Sequence, residues 1–402
     1  MGPGLYVHVP FCARACPYCD FDFEVGRSPP IDAFLDGLER ERQARALPEG
    51  LPVHTVYVGG GTPSMLGAVG LRRLLAWVDA RFDTGSAVER TVELNPEHVD
   101  DALLGALHAA GVDRVSMGVQ SLAAGALVQL GRVHRAAQAK AGLRAAVDRG
   151  LRVSADLIVG WPGQGAAQLR ADVAGLLGEG VEHVSIYALT VEPGTPWEAQ
   201  IKRGRRRRPD PDVQTQRLLE AEQILEAAGL AHYEVASYGR DGARARHNLG
   251  YWTWRDYVGL GPSAASARYH PDGSVSRRTN RRGWLPWSTG LAGEPDGASV
   301  ERLAPQVAAA EGLWLGLRVL TGFSPADFLR RFGAAVDAAW LWERLAGPRA
   351  RGQVEVDPQG RVRVVPGHWL WHDDIGADLL DAGGADPVDA AAPTAKMSGF
   401  CP

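Results

Sequence analysis

The 402-residue sequence predicts an α/β protein, a partial (β/α)6 barrel followed by a small winged-helix-like α+β domain. Three observations point there. Between Leu5 and Tyr187 short β-branched runs alternate with longer amphipathic stretches, the mark of repeated βα units around a parallel sheet. Six such units can be read, fewer than the eight that close a full barrel. From Ala304 onward, helical patterns lead into a hairpin and a last helix, the order of a winged helix.

The strands are read at Leu5 to Val9, Thr55 to Val58, Thr91 to Leu94, Arg114 to Val119, Val153 to Val159 and His183 to Ala188. Helical spacing of apolar residues lies between them, as in Leu71 to Phe82 and Ala139 to Arg149. Residues 1–241 therefore form the barrel core, with its chemistry expected on loops at the C-terminal ends of the strands. Residues 242–303, rich in Gly, Pro, Arg and Trp without a clean period, read as an irregular segment closing the barrel mouth. Residues 304–381 form the winged-helix-like domain. Its helices are read at Val307 to Leu320, Pro325 to Phe332 and Ala338 to Leu345, its hairpin at Val354 to Val356 and Val362 to Val365, and its last helix near Asp374 to Leu380. Residues 382–402 lack periodicity and are expected to be a disordered tail.

Composition narrows the function classes. A hydrophobic content of 45% supports a sizeable core, and a net charge of -4 gives no global basic field to draw the chain onto nucleic acid or anionic lipid. Lys202, Arg203 and Arg205 to Arg208 form a local basic run, read as a solvated loop because no aromatic residues interleave it. The N-terminus shows no basic region followed by an apolar one, and no apolar run reaches the ~18 residues of a membrane span. A soluble, cytoplasmic protein is expected. Of the four cysteines, three lie between Cys12 and Cys19, which is ligand usage in a reducing compartment and not a disulfide framework.

Cys12, Cys16 and Cys19 follow the first strand on one loop, so their thiolates can converge. Soft thiolates select zinc or an iron-sulfur cluster. A structural zinc would need a fourth ligand, for which His8 is nearest, and three inert packed thiols are a further reading. A cluster held by three cysteines would leave one iron open to a ligand.

Other strand ends carry polar residues. Gly59, Gly60, Gly61, Thr62 and Pro63 follow the second strand, as a tight turn or as a cradle whose backbone approaches a ligand. Glu93 and Gln120 end the third and fourth strands, and Asp156 interrupts the apolar fifth. Each either faces the mouth or is a paired core group. Arg132 is either solvated or placed to receive a ligand carboxylate.

The Cys-x3-Cys-x2-Cys spacing after the first strand of an incomplete barrel resembles the radical-SAM superfamily. That resemblance implies a 4Fe-4S cluster on Cys12, Cys16 and Cys19, with S-adenosylmethionine bound at the open iron through its methionyl amine and carboxylate. It also implies cleavage of the sulfonium, by an electron from the cluster, to a 5'-deoxyadenosyl radical. Cys-Pro-Tyr-Cys-Asp-Phe, the stretch from Tyr187 to Pro196 and the stretch from His247 to Trp252 resemble the oxygen-independent coproporphyrinogen III oxidase-like family, in particular its branch of HemW-type heme chaperones. The S-adenosylmethionine contacts so implied are Tyr6, Tyr18, Gly60, Gly61, Thr62, Glu93, Gln120, Arg132, Asp156 and Ala188. His247, opening a His-Asn-x-x-Tyr-Trp motif, is implied as a heme ligand.

Two departures are visible. The decarboxylating members carry a fourth cysteine two residues beyond the third, where this chain has Phe21. After Gly259, Leu260 and Gly261 the family continues Gly-Ala-His, whereas Pro262, Ser263, Ala264 and Ala265 stand here, so any ligand role of that histidine is lost. The resemblance implies heme, a heme-accepting client protein, an electron donor such as a flavodoxin or ferredoxin, membrane contact only transiently through a client, a homodimer as a permitted state, and no nucleic acid. The competing readings are oxidative decarboxylation of coproporphyrinogen III and, more weakly, tRNA modification. The tRNA modifiers carry domains ahead of the cluster, for which a motif beginning at Cys12 leaves no room.

Overall fold

The computed structural model describes residues 2–290 and 298–381. Strand β1 (Gly4–Val9) is buried at every position, as a parallel strand covered on both faces must be. Strands β2 (Thr55–Gly60), β3 (Arg90–Leu94), β4 (Arg114–Gln120), β5 (Arg152–Val159) and β6 (His183–Ala188) follow it in parallel, each beside its predecessor. All six match the sequence expectation to within about two residues at either end. The helices that return the chain are α1 (Ile31–Ala44), α2 (Gly67–Arg81), α3 (Asp101–Ala109), α4 (Ala124–Gln129), α5 (Ala136–Asp148) and α6 (Ala166–Leu177). Leu5, Val7, Val56, Val58, Val92 and Val115 meet the inner faces of these helices in one continuous core.

After β6 come α7 (Pro196–Lys202) and α8 (Pro211–Ala227), then β7 (Ala231–Glu234) and β8 (Ser237–Gly239). Strand β8 pairs antiparallel with β6, which therefore does not close onto β1. The barrel stays open.

The expectation of an irregular segment at 242–303 is corrected by the structure. Its described residues contain α9 (Arg246–Trp252), β9 (Tyr257–Leu260), β10 (Ala265–Tyr269), β11 (Val275–Thr279), α10 (Trp284–Thr289) and β12 (Ser299–Leu303). Strand β9 joins β1 in parallel, with Gly4 opposite Tyr257 and Val7 opposite Leu260. Strands β10 to β12 continue it as an antiparallel ladder, giving a 12-stranded sheet among the described residues. These strands leave little periodicity in the sequence because they are short and because β11 and β12 carry charged residues. Arg277 on β11 is held by Glu301 across the ladder and by Glu311, both at 2.8 Å, so ion pairing replaces the apolar alternation that marks a strand.

The C-terminal part is built from α11 (Pro305–Leu317), α12 (Pro325–Phe332), α13 (Ala338–Ala350), the hairpin β13 (Val354–Val356) and β14 (Val362–Val364), and α14 (His372–Asp381). Ser324 and Asp337 cap α12 and α13 by accepting from the backbone N–H groups of Asp327 and Trp340. Leu313, Leu317, Phe328 and Phe332 pack with Trp254, Ala267 and Val275, so this part shares its core with the sheet extension. The tail expected at 382–402 lies outside the described residues. Among the described residues no helix is long and apolar enough to cross a membrane.

Candidate cofactor site

Because β1 to β6 run parallel, their C-terminal ends gather on one side, and there a cavity of about 380 Å³ opens. Cys12, Cys16, Tyr18 and Cys19 line it from the loop after β1, and Gly60, Gly61 and Thr62 from the end of β2. Glu93, Gln120, Asp156 and Ala188 reach it from β3 to β6, and Arg132 from the loop after α4. Of the cluster, S-adenosylmethionine and heme contacts that the resemblance implied, all but Tyr6 and His247 meet in this one space.

The glycine turn has no room for side chains. Gly60 has φ 112°, and a Cβ there would stand 2.7 Å from His8 Nδ1; one on Gly61 would stand 3.1 Å from Cys12 Sγ. Gly60 N–H donates to Glu93 Oε2 at 3.0 Å, while Tyr57 Oη donates to Oε1 at 2.7 Å. Burial pushes the Glu93 carboxyl up to about 8; the Tyr57 hydrogen bond opposes this and Asp156 adds to it. Asp156 is itself raised to about 6 by burial, against hydrogen bonds from Ser185 and Ser116 and the nearby Arg114 charge. These two acids are thus held ready for a cation or a hydroxyl-bearing ligand. Gln120, a non-glycine residue at φ 64°, occupies a backbone region costing about 1–3 kcal/mol, of the kind concentrated at ligand sites.

Arg132 is buried among acceptors. Its Nη2 donates to Asn95 Oδ1 at 2.6 Å and Gly118 O at 3.0 Å, and its Nη1 lies 3.7 Å from Cys16 Sγ. Its buried Nε has no protein partner, a donor left over for something else. Burial opposes its charge, but Tyr18, Cys16 and Glu97 outweigh that and raise its pKa. Asn95 and Tyr57, which set the positions of Arg132 and Glu93, were not singled out in the sequence. The polar stretch from Glu93 through Asn95 to Glu97 was the available signal for the first.

The cysteines fit an iron-sulfur cluster better than a zinc ion. Burial pushes the Cys12 thiol up to about 11 and the Cys19 thiol to about 12 in the metal-free protein. His8 cannot complete a zinc site: its Nε2 donates to Asp22 O at 2.9 Å and its Nδ1 accepts from Tyr6 Oη at 3.0 Å. Among the described residues no three His, Cys, Asp or Glu side chains converge on a point that would hold a single ion. Three thiols around one cavity, each able to meet a different iron, suit a cluster with one iron left open.

Two residues expected at the site do not line this cavity. Tyr6 contacts His8 through its hydroxyl, and its ring centroid is 6.1 Å from that of Tyr57. His247 is 3% exposed on α9, its Nδ1 2.8 Å from Thr55 Oγ1 and its Nε2 2.5 Å from Tyr251 Oη. Burial pushes its pKa down to about 3. With both ring nitrogens engaged inside the protein, His247 is not presented to a heme iron in this arrangement. Its ring instead lies 5.0 Å from the ring of Tyr57, the residue that holds Glu93.

The loop beyond the cysteines is tied down from far along the chain. Asp22 Oδ2 accepts from Ser263 Oγ and from Gly283 N–H, both at 2.7 Å, and Arg282 Nη2 donates to Asp20 O at 2.8 Å. Phe21, between these anchors, lines the cavity.

A parallel, open barrel with three cysteines after its first strand, a glycine turn after its second and acids at the next strand ends is the architecture and site of the radical-SAM class. The sequence pattern of the Radical SAM superfamily matches residues 6–174. The heme chaperone HemW of Mycobacterium tuberculosis is 39% identical over 339 residues, covering 83% of this chain and 84% of that one. The Escherichia coli heme chaperone HemW is 35% identical over 284 residues, 69% and 73% of the two chains. The solved structure of the coproporphyrinogen III oxidase HemN from Escherichia coli, described as a radical SAM enzyme, superposes with a TM-score of 0.78 at 21% identity, over 94% of this chain and 90% of that one, and shows the common fold. The chain belongs to the HemW family of the radical-SAM superfamily, and a 4Fe-4S cluster and S-adenosylmethionine are the cofactors that membership brings.

Proposed function

We propose that this protein is a heme chaperone, binding heme and passing it to a client protein, with a cluster on Cys12, Cys16 and Cys19 and S-adenosylmethionine beside it. The observation that carries the choice against coproporphyrinogen decarboxylation is Phe21, an apolar ring lining the cavity at the position of the oxidases' further cysteine. The named heme chaperones that match over most of the chain support the same reading.

In this reading Glu93 and the Gly60–Gly61 backbone receive the methionyl amine, and Arg132 the carboxylate; Gln120 and Asp156 accept from the ribose hydroxyls. Thr62 and Ala188 shape the walls, and Tyr18 closes the site beside Arg132. When bound, the cluster supplies the electron and the open coordination position. Its reduction calls for a small protein donor of the flavodoxin or ferredoxin kind.

Anaerobic reconstitution followed by heme titration tests the proposal. A Soret change together with no protoporphyrinogen formation from coproporphyrinogen III is the expected result. Absence of any Soret change in the wild type would sink it, as would sustained decarboxylation.

A further inference from the structure

The basic run at 202–208 is fastened to the loop that carries the cysteines. Helix α7 begins against that loop, with Trp197 N–H donating to Pro17 O at 2.8 Å. The Trp197 side chain is 1% exposed, in an apolar cluster with Tyr18, Ile158 and Leu189. At seven residues α7 is about 10 Å long, which keeps its far end close to the same loop. There the chain reads Lys202, Arg203, Gly204 and then Arg205 to Arg208.

Arg206 alone folds inward. Its guanidinium lies 4.1 Å from the Trp197 ring centroid and its Nη1 donates to Gln129 O at 2.8 Å, pinning the run in place. Lys202 is offset by Glu198 at 2.8 Å. Arg203, Arg205 and Arg207 are exposed and form no ion pair among the described residues. On a chain of net charge -4 this is a concentrated, anchored cationic surface within one short helix of Cys16 and Cys19. A solvated loop needs neither the anchoring nor the uniform sign. A nucleic-acid platform would need aromatic side chains in the run, and it has none.

We infer that Arg203, Arg205 and Arg207 form the docking surface for an acidic one-electron carrier protein that reduces the cluster held by Cys12, Cys16 and Cys19. The inference rests on the cluster reading above. One electron leaves the reduced carrier and one enters the cluster; no covalent bond forms or breaks. Opposite charge at the rim speeds encounter and orients it.

The test uses the full-length, reconstituted protein and a strongly acidic flavodoxin in its reduced form, with cluster reduction followed by bleaching near 400 nm and by electron paramagnetic resonance. The R203E/R205E/R207E variant is expected to be reduced at least about tenfold more slowly at low ionic strength, with a flattened salt dependence. R203Q/R205Q/R207Q is expected to fall between it and the wild type. Dithionite, which needs no docking, should reduce all three equally, which shows that the variants fold and hold their cluster. Equal flavodoxin rates in wild type and charge-reversal variant would overturn the inference, as would failure of flavodoxin to reduce a wild type that dithionite reduces. A wild type that dithionite cannot reduce would instead overturn the cluster reading.

Discussion

Tyr57 Oη donates to Glu93 Oε1 at 2.7 Å, and the other face of the same tyrosine environment is the ring of His247, with centroids 5.0 Å apart. The acid at the edge of the cofactor cavity and the histidine of the His-Asn-x-x-Tyr-Trp motif are therefore separated by a single side chain.

If Glu93 receives the methionyl amine as proposed, binding of S-adenosylmethionine should depend on pH. With its pKa at about 8, the carboxyl is mostly protonated at pH 7 and must release that proton to pair with an ammonium group. Affinity should rise about tenfold per pH unit from 6.5 toward 7.5 and level off near 8. In Glu93→Gln it should be at least about tenfold weaker and nearly flat with pH. Calorimetry of the reconstituted protein in two buffers of different ionisation heat measures both affinity and released proton.

Replacing His247 should loosen the site from below. His247→Ala removes the ring that Thr55 Oγ1 and Tyr251 Oη contact and opens a cavity, at a cost of about 2–4 kcal/mol, whereas His247→Gln keeps two polar contacts and should lose less than half of that. Because the folded pKa is depressed to about 3, stability is fully present above pH 6.5 and falls as pH drops toward 3. The glutamine variant should show a shallower acid loss in that window. Denaturant titrations at several pH values give the comparison.

Thiol reactivity in the metal-free protein should be suppressed. With Cys12 at about 11 and Cys19 at about 12, alkylation at pH 8 should run about a hundredfold or more slower than for an exposed cysteine. Peptide mapping after timed iodoacetamide treatment reads each thiol separately. Rapid labelling of both would contradict the raised thiol pKa values.

Glu41 should prove essential to the fold. It is 1% exposed and accepts from Arg45 Nη1, Gly261 N–H, Asn280 Nδ2 and Trp287 Nε1, joining α1 to the loops of the sheet extension. Glu41→Ala takes the carboxylate from Arg45 and removes an acceptor from the buried Gly261 N–H, Asn280 Nδ2 and Trp287 Nε1, costing about 3–5 kcal/mol. A fall in the urea midpoint of matching size is expected. A change within error would show that water replaces the carboxylate.

Much of the site was legible because of where polar residues sit in apolar strands. Glu93, Gln120 and Asp156 stand at or near the C-terminal ends of largely apolar strands, and all three reach the cavity. Alternation tells which face of β1 Tyr6 takes but not its depth, and its hydroxyl meets His8 Nδ1. The surroundings of His247 were illegible for another reason. Its partner Thr55 lies 192 positions away, and nothing in the local motif reports that both nitrogens are used. The sheet extension was hidden because its strands are held by ion pairs and by registration against β1, neither of which leaves a period in the sequence.

The strap on Asp22 has a consequence for how the protein is made. Gly283 follows Asp22 by 261 positions, so at ribosomal rates of about 5–20 residues per second the cysteine loop waits on the order of 10–50 s for its last anchor. Throughout that interval the nascent thiols are chemically present but lack the Asp22 anchor. Iron and sulfide delivered after synthesis meet a shaped socket, and delivered during it they meet a loose loop.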